Sequence, residues 1–284
     1  MVRIVYVNGK FISELEAKIS IFDRGFLFAD SVYEVTAVLN GRLVDWSGHI
    51  GRLKRSLKHL NIKFSLDEEA LLNIHRELIR LNELADGLIY MQVSRGSAER
   101  DFLIKDNLKS SVVMFSQTLP LLEPERLNRC LRIMTIPEAR WKHRDIKTTQ
   151  LLAASLTKTE AQAQGFDDAW FVEDGYVTEG TSSNAFIVLD NKKIVTRGVG
   201  KEILAGVTRF SIQQTAILLG MQFEERPFSV AEAELADEAF ITSATNFITS
   251  VVEINGKVIG DGGVGEITKL LREKYLINIQ RISE

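Results

Sequence analysis

Three Asn-Gly dipeptides, at Asn8-Gly9, Asn40-Gly41 and Asn255-Gly256, constrain the fold of this chain more than any other feature. Asn-Gly suits two successive positive φ angles, the geometry that closes a tight antiparallel hairpin. The first is expected to join residues 2–7 to Lys10-Phe11-Ile12, and the second to turn Val32–Leu39, alternating and rich in β-branched residues, back into Arg42-Leu43-Val44. The third leads into a closing helix from about Val264 to Ile282. Between the hairpins, His49–Leu60 reads as a helix with Ile50, Leu53, Leu57 and Leu60 on one face and Arg52 and Arg55 projecting elsewhere. Leu66-Asp67-Glu68-Glu69 opens a second helix that runs to Leu81, and Gly87–Gly96 and Ser111–Ser116 read as strands. Two of the chain's four prolines fall in residues 119–125, the composition of an interdomain linker. The expected organisation is therefore α+β in two parts, residues 1–118 and 126–284, without regular βαβ alternation.

The second part carries the more suggestive chemistry. A strand is expected near Leu131–Ile136, then a helix over Thr148–Gln164, started by threonine hydroxyls and stopped by Gly165. Strands follow at Ala169–Glu173 and Asn184–Leu189, joined through Asp174-Gly175 and a loop containing Glu179. Lys192–Thr196 and Glu238–Ser243 are further strands, and a helix begins around Gly206-Val207-Thr208-Arg209 and ends before Gly220. Lys147 thus stands just before an expected helix N-terminus, whose positive dipole end disfavours the charged amine. A neutral lysine amine forms Schiff bases, and a carboxylate such as Glu179 can keep a pyridine nitrogen protonated. That pair suggests pyridoxal phosphate.

The net charge of −3 and a pI near 5.9 give no electrostatic footing for nucleic acid or a membrane surface as partner. The single cysteine, Cys130, reads as a small buried hydrophobe and fits a reducing, cytoplasmic setting. The four histidines lack ligand spacing, so no metal is expected. Three places are competent to hold an anion: Arg52 early in its helix, the Gly206-Val207-Thr208 turn feeding a helix start, and the hydroxyl-rich Ile241-Thr242-Ser243-Ala244-Thr245 at a strand end.

Several segments resemble the fold-type IV (class IV) pyridoxal-phosphate aminotransferases, the group holding D-amino acid aminotransferase, branched-chain aminotransferase and aminodeoxychorismate lyase. They are residues 23–35 (DRGFLFADSVYEV), 49–53 (HIGRL), 145–147 (DIK), 177–184 (VTEGTSSN), 203–209 (ILAGVTR) and 240–245 (FITSAT), in family order over nearly the whole length. The resemblance implies a small α/β domain plus a larger pseudo-barrel domain that binds pyridoxal 5′-phosphate. It implies Lys147 as the Schiff-base lysine, Glu179 as partner of the ring nitrogen and Leu204 packed on the ring. Arg52, Val207, Thr208, Ser243 and Ala244 would surround the phosphate.

Within the family the chain looks most like D-amino acid aminotransferase. In that subgroup a tyrosine, an arginine and a histidine bind the substrate carboxylate; Tyr33 and Arg100 match, while Phe102 stands at the histidine position. Arg95 and Arg24 are alternative cations, and Phe26, Phe28 and Trp141 either line a pocket or belong to the core. The resemblance thus implies transamination between a D-amino acid and a 2-oxo acid (2-oxoglutarate or pyruvate), in a homodimer. The alternatives are a branched-chain aminotransferase, an (R)-amine transaminase, an aminodeoxychorismate lyase and a catalytically silent cofactor-binding homologue.

Overall fold

The computed structural model describes residues 2–65, 67–190 and 192–282 and divides into two compact units. The first comprises residues up to Leu121 together with Ile146–Gln150 and Ile282, and the second comprises Leu122–Asp145 and Leu151–Arg281.

The first unit contains β1 (Ile4–Val7), β2 (Lys10–Ser13), α1 (Arg24–Phe28), β3 (Ser31–Leu39), β4 (Arg42–Leu43), α2 (Trp46–His59), α3 (Glu68–Leu81), β5 (Gly87–Ser94) and β6 (Ser111–Thr118). Its six strands form one antiparallel sheet in the order β2-β1-β6-β5-β3-β4. The Asn-Gly hairpins are as expected: Asn8 and Gly9 take φ of 48° and 96°, and Asn40 and Gly41 take 50° and 72°. On β5, buried Ile89, Met91 and Val93 alternate with half-buried Leu88, Tyr90 and Gln92, so one face is core and the other holds polar and aromatic groups. Helices α2 and α3 pack against this sheet and meet where Trp46 and His75 lie edge to face, 4.6 Å between centroids. Asp67 caps α3 by accepting from the Ala70 N–H at 2.7 Å; Leu66, expected to open that helix, lies outside the described residues.

The second unit contains α4 (Pro124–Leu127), β7 (Cys130–Pro137), α5 (Leu152–Ala163), β8 (Asp168–Glu173), β9 (Tyr176–Gly180), β10 (Asn184–Leu189), β11 (Lys193–Thr196), α6 (Val207–Leu218), β12 (Gln222–Glu225), α7 (Val230–Ala233), β13 (Glu238–Ser243), β14 (Phe247–Ile254), β15 (Lys257–Val258) and α8 (Glu266–Ile282). Its strands run β12-β11-β10-β13-β14-β7-β8-β9, with β15 beside β14. Trp170, Ile187, Phe228, Ile241 and Ile254 centre its core.

Three expectations are corrected. The helix expected from Thr148 begins at Leu152, because Thr148 bridges Val32 and the Thr149 N–H donates to Ser31 O at 3.2 Å, which ties these threonines to β3. Lys147 is therefore not at a helix N-terminus, and the dipole argument, which acts only within the first turn, does not apply to it. Glu179 lies on a strand, β9, rather than in a loop. Cys130 is half-buried and not a core residue; burial raises its thiol pKa. Gly165, by contrast, ends α5 as expected, with φ of 85°.

Candidate active site

In the first unit, Lys147 is fixed by its backbone. Its N–H donates to Ser56 Oγ at 3.2 Å, and its carbonyl accepts from the Tyr33 N–H at 3.0 Å. The side chain then carries Nζ to 4.0 Å from the centroid of the Tyr33 ring. Tyr33 stacks on Tyr90 (5.6 Å), which stacks on Phe115 (4.9 Å), so the ring under the amine is held from behind. Tyr90 Oη donates to Gln92 at 2.8 Å, and its phenol pKa is raised by burial and by Tyr33.

On the opposite face of β3, Glu34 receives Arg52 through Nε (2.8 Å) and Nη2 (2.7 Å) and pairs with His49 Nδ1 at 2.8 Å. Burial alone would raise the Glu34 pKa, but the charge and hydrogen bonds of Arg52, with His49, bring it to about 2. Arg52 does not project away from the apolar face of α2: it is buried with Leu53 and Leu57. An arginine already aligned by two parallel bonds is a stiff anion donor.

Arg100 and Phe102 lie together on an exposed loop. The Arg100 guanidinium is 5.7 Å from the Phe28 ring and 5.5 Å from the Phe102 ring, and Phe102 is 78% exposed. Phe26 is exposed as well, Phe28 meets Phe102 edge to face, and Trp141, in the second unit, meets His143. The alternative cations Arg24 and Arg95 are buried and both bind Asp30, at 2.8 and 2.7 Å, which commits them to holding α1 and the end of β5 together.

In the second unit, Glu179 is 4% exposed and accepts three hydrogen bonds: Arg140 Nη1 on Oε1 (2.8 Å), and Asn184 Nδ2 (3.1 Å) and the Leu204 N–H (3.0 Å) on Oε2. Burial pushes its pKa above the ordinary carboxylate value, against the opposing pull of Arg140 and the Leu204 N–H. Asn184 also donates to Leu204 O at 2.9 Å, so one amide links Glu179 to the turn before α6. Gly206 caps α6, and no side chain among the described residues accepts from the first N–H groups of that helix. A Cβ at Gly206 would meet Asn184 Oδ1 at 2.0 Å, so only glycine fits. Val207 and Thr208 form the first turn of α6, which packs on β13. Ser243 ends β13 and accepts from the Asn246 N–H at 3.1 Å, with Ala244 next in the turn, and the buried Thr242 hydroxyl has no hydrogen-bond partner among the described residues.

Each unit thus brings its own set together: Lys147 with Tyr33 in the first, Glu179 with Leu204 in the second. Sequence reasoning missed Glu34, His49, Glu138, Arg140 and Asn184 as participants. For Glu34 a signal existed, since a carboxylate at an inward position of an alternating strand demands a partner. Among the partners of Glu179, Asn184 lies only five residues on, within the 177–184 segment, while Arg140 stands 39 residues away and carries no local pattern.

A family model described as "Amino-transferase class IV" matches residues 31–254. The chain is similar to a D-alanine aminotransferase of Bacillus licheniformis, 36% identical over 93% of both chains. It is also similar to a putative branched-chain-amino-acid aminotransferase of Methanocaldococcus jannaschii, 34% identical over 95% of this chain and 94% of that one. Two solved structures of branched-chain aminotransferases share the fold. One, crystallised with pyridoxamine 5′-phosphate, superposes with a TM-score of 0.91 at 26% identity, covering 98% of this chain and 94% of that one. The other, from the archaeon Thermoproteus uzoniensis with norvaline, superposes with a TM-score of 0.88 at 26% identity, covering 98% of this chain and 95% of that one.

Proposed function

The chain belongs to the class IV amino-transferase family and is an aminotransferase of fold type IV, and from that premise we propose that it moves an amino group between a D-amino acid and a 2-oxo acid such as 2-oxoglutarate or pyruvate. The observation that carries the D-specific reading is the 36% identity, over 93% of both chains, to a D-alanine aminotransferase. The cofactor in this reading is pyridoxal 5′-phosphate, supported by the pyridoxamine 5′-phosphate in the structure of a relative.

The residues present suit such a group. The uncapped N–H groups at the start of α6, the glycine that alone fits there and the orphaned Thr242 hydroxyl are unspent polar capacity of the kind a phosphate uses. When bound, the pyridine ring supplies the electron sink for breaking the Cα–H bond of the amino acid. Lys147 Nζ would hold that group covalently and would supply the base for the Cα proton. Tyr33 lies beneath that amine and limits where it can swing. Glu179 would keep the proton on the ring nitrogen, and Leu204, whose N–H donates to Glu179, would pack against the group. Arg52, Val207, Thr208, Ser243 and Ala244 are the residues that would hold the phosphate, through guanidinium, backbone N–H and hydroxyl groups. Tyr33 and Arg100 bind the substrate carboxylate beside Phe102, and the working assembly is a homodimer, a reading that rests on the family resemblance.

A second reading, transamination of branched-chain L-amino acids, is favoured by the similarity to the Methanocaldococcus jannaschii protein. Purified enzyme assayed with D-alanine, D-glutamate, L-leucine, L-valine and (R)-amines, each with 2-oxoglutarate or pyruvate, separates the readings. Activity confined to L-leucine and L-valine would overturn the first.

A further inference from the structure

We propose that Arg140 is the positioning residue for Glu179: shared between Glu179 and Glu138, its guanidinium aims the Glu179 carboxylate and sets the charge that carboxylate presents. The proposal rests on the reading of Glu179 as partner of the pyridine nitrogen. Arg140 directs Nε (2.9 Å) and Nη2 (2.8 Å) at the two oxygens of Glu138 and Nη1 (2.8 Å) at Glu179 Oε1. The Phe171 ring lies 4.2 Å from its Cζ and blocks rotation of the guanidinium plane. Oε2 of Glu179 receives only neutral donors among the described contacts, Asn184 and the Leu204 N–H. Charge therefore reaches this carboxylate from one side, through one cation.

That cation is divided. Glu138 takes two of its donors and is itself 3.4 Å from Arg144, which reaches on to Glu173 at 2.5 Å. The Thr178 hydroxyl donates to Glu138 at 3.1 Å. Arg140 and Glu138 are thus the charged groups that act on Glu179 among the described residues of this unit, and Arg144 and Glu173 connect to it only through Glu138. Glu138 acts on Glu179 twice with the same sign, once as a like charge and once by occupying the arginine. Arg140 acts with the opposite sign. A scaffold role would make either substitution a loss of the same kind, whereas an electrostatic positioning role gives two shifts of opposite direction.

The test follows the Glu179 carboxyl carbon by 13C NMR across pH in the full-length, cofactor-free chain labelled on glutamate, the resonance being assigned by its loss in Glu179→Gln. Arg140→Met is expected to raise the titration midpoint by about one pH unit or more, and Glu138→Gln to lower it. Arg140→Lys should fall between wild type and Arg140→Met. Should Arg140→Met fail to fold, Glu138→Gln alone decides the sign. Midpoints that move the same way in Arg140→Met and Glu138→Gln, or a Glu138→Gln midpoint that does not fall, would overturn the proposal. The pH dependence of the bound cofactor's absorbance is read in parallel. If Glu179→Gln leaves that dependence unchanged while the two carboxyl shifts remain opposite, Arg140 keeps its hold on Glu179 and the cofactor role of Glu179 is overturned instead.

Discussion

Lys147 and Tyr33 are joined twice: the Tyr33 N–H donates to the Lys147 carbonyl at 3.0 Å, and the Lys147 Nζ stands 4.0 Å from the Tyr33 ring centroid. The backbone bond sets where the lysine starts, and the ring sets where its amine rests. A cation over an aromatic face gains about 0.5–2 kcal/mol, depending on how far it is desolvated. Tyr33→Leu should therefore lower kcat by roughly three- to thirtyfold relative to Tyr33→Phe, which keeps the ring. Equal kcat values for the two variants would show that the ring does not place the amine.

Lys147→Ala should keep the fold, since its backbone bonds to Ser56 and Tyr33 use main-chain atoms that alanine retains. It should lose turnover and the near-visible absorbance band of the covalently attached cofactor. A variant that keeps both the band and normal activity would place the reactive amine elsewhere.

Glu34 and Arg52 predict a stability change that is separate from turnover. Removing one partner of a buried ion pair costs about 3–5 kcal/mol, so Glu34→Gln should lower the unfolding free energy by that order in urea titrations at neutral pH. The sign with pH follows from linkage. A glutamate titrating near 4.5 when unfolded and about 2 when folded contributes stability that is complete above 4.5 and lost as pH falls towards 2. The gap between wild type and Glu34→Gln should close over that interval. His75 acts in the same direction at higher pH: burial presses its pKa from 6.5 to about 4, so the unfolded chain takes up the proton first and stability declines across that range.

Arg100→Ala should raise the Michaelis constant for D-alanine or D-glutamate by roughly ten- to a hundredfold, the worth of a charge-assisted pair of about 1.5–3 kcal/mol. An amine without a carboxylate should be far less affected. Equal losses for both donors, or none, would leave Arg100 as an exposed cation resting on Phe28 and Phe102.

What could be read from the sequence was what is decided locally. Asn8-Gly9, Asn40-Gly41 and Asn255-Gly256 turn where expected because two adjacent residues fix those φ angles. The start of α5 was misplaced because Thr148 and Thr149, good capping residues by type, are claimed by Val32 and Ser31. Tertiary pairing overrode propensity there. The family motifs named Lys147 and Glu179, and the second of them also contains Asn184, but Tyr90 and Arg140 are brought to these residues by packing between segments far apart in the chain. No periodicity or spacing in the sequence encodes that relation.

The segment 146–150, bonded to β3, also bears on the order in which this chain can assemble. Ser31 and Thr149 meet through their hydroxyls across 118 residues, and a loop of that length costs on the order of 4 kcal/mol to close. A nascent chain that has emerged only to Leu121 has every strand of the first sheet but leaves the Tyr33 N–H and the Ser31 carbonyl without the backbone that pairs with them in the finished protein. Those bonds wait until residue 150 has been synthesised, so contacts of high sequence separation form late. Anchoring of Lys147 is thus a late step: every strand of the first sheet precedes it in the chain, and no fragment truncated before it carries the amine.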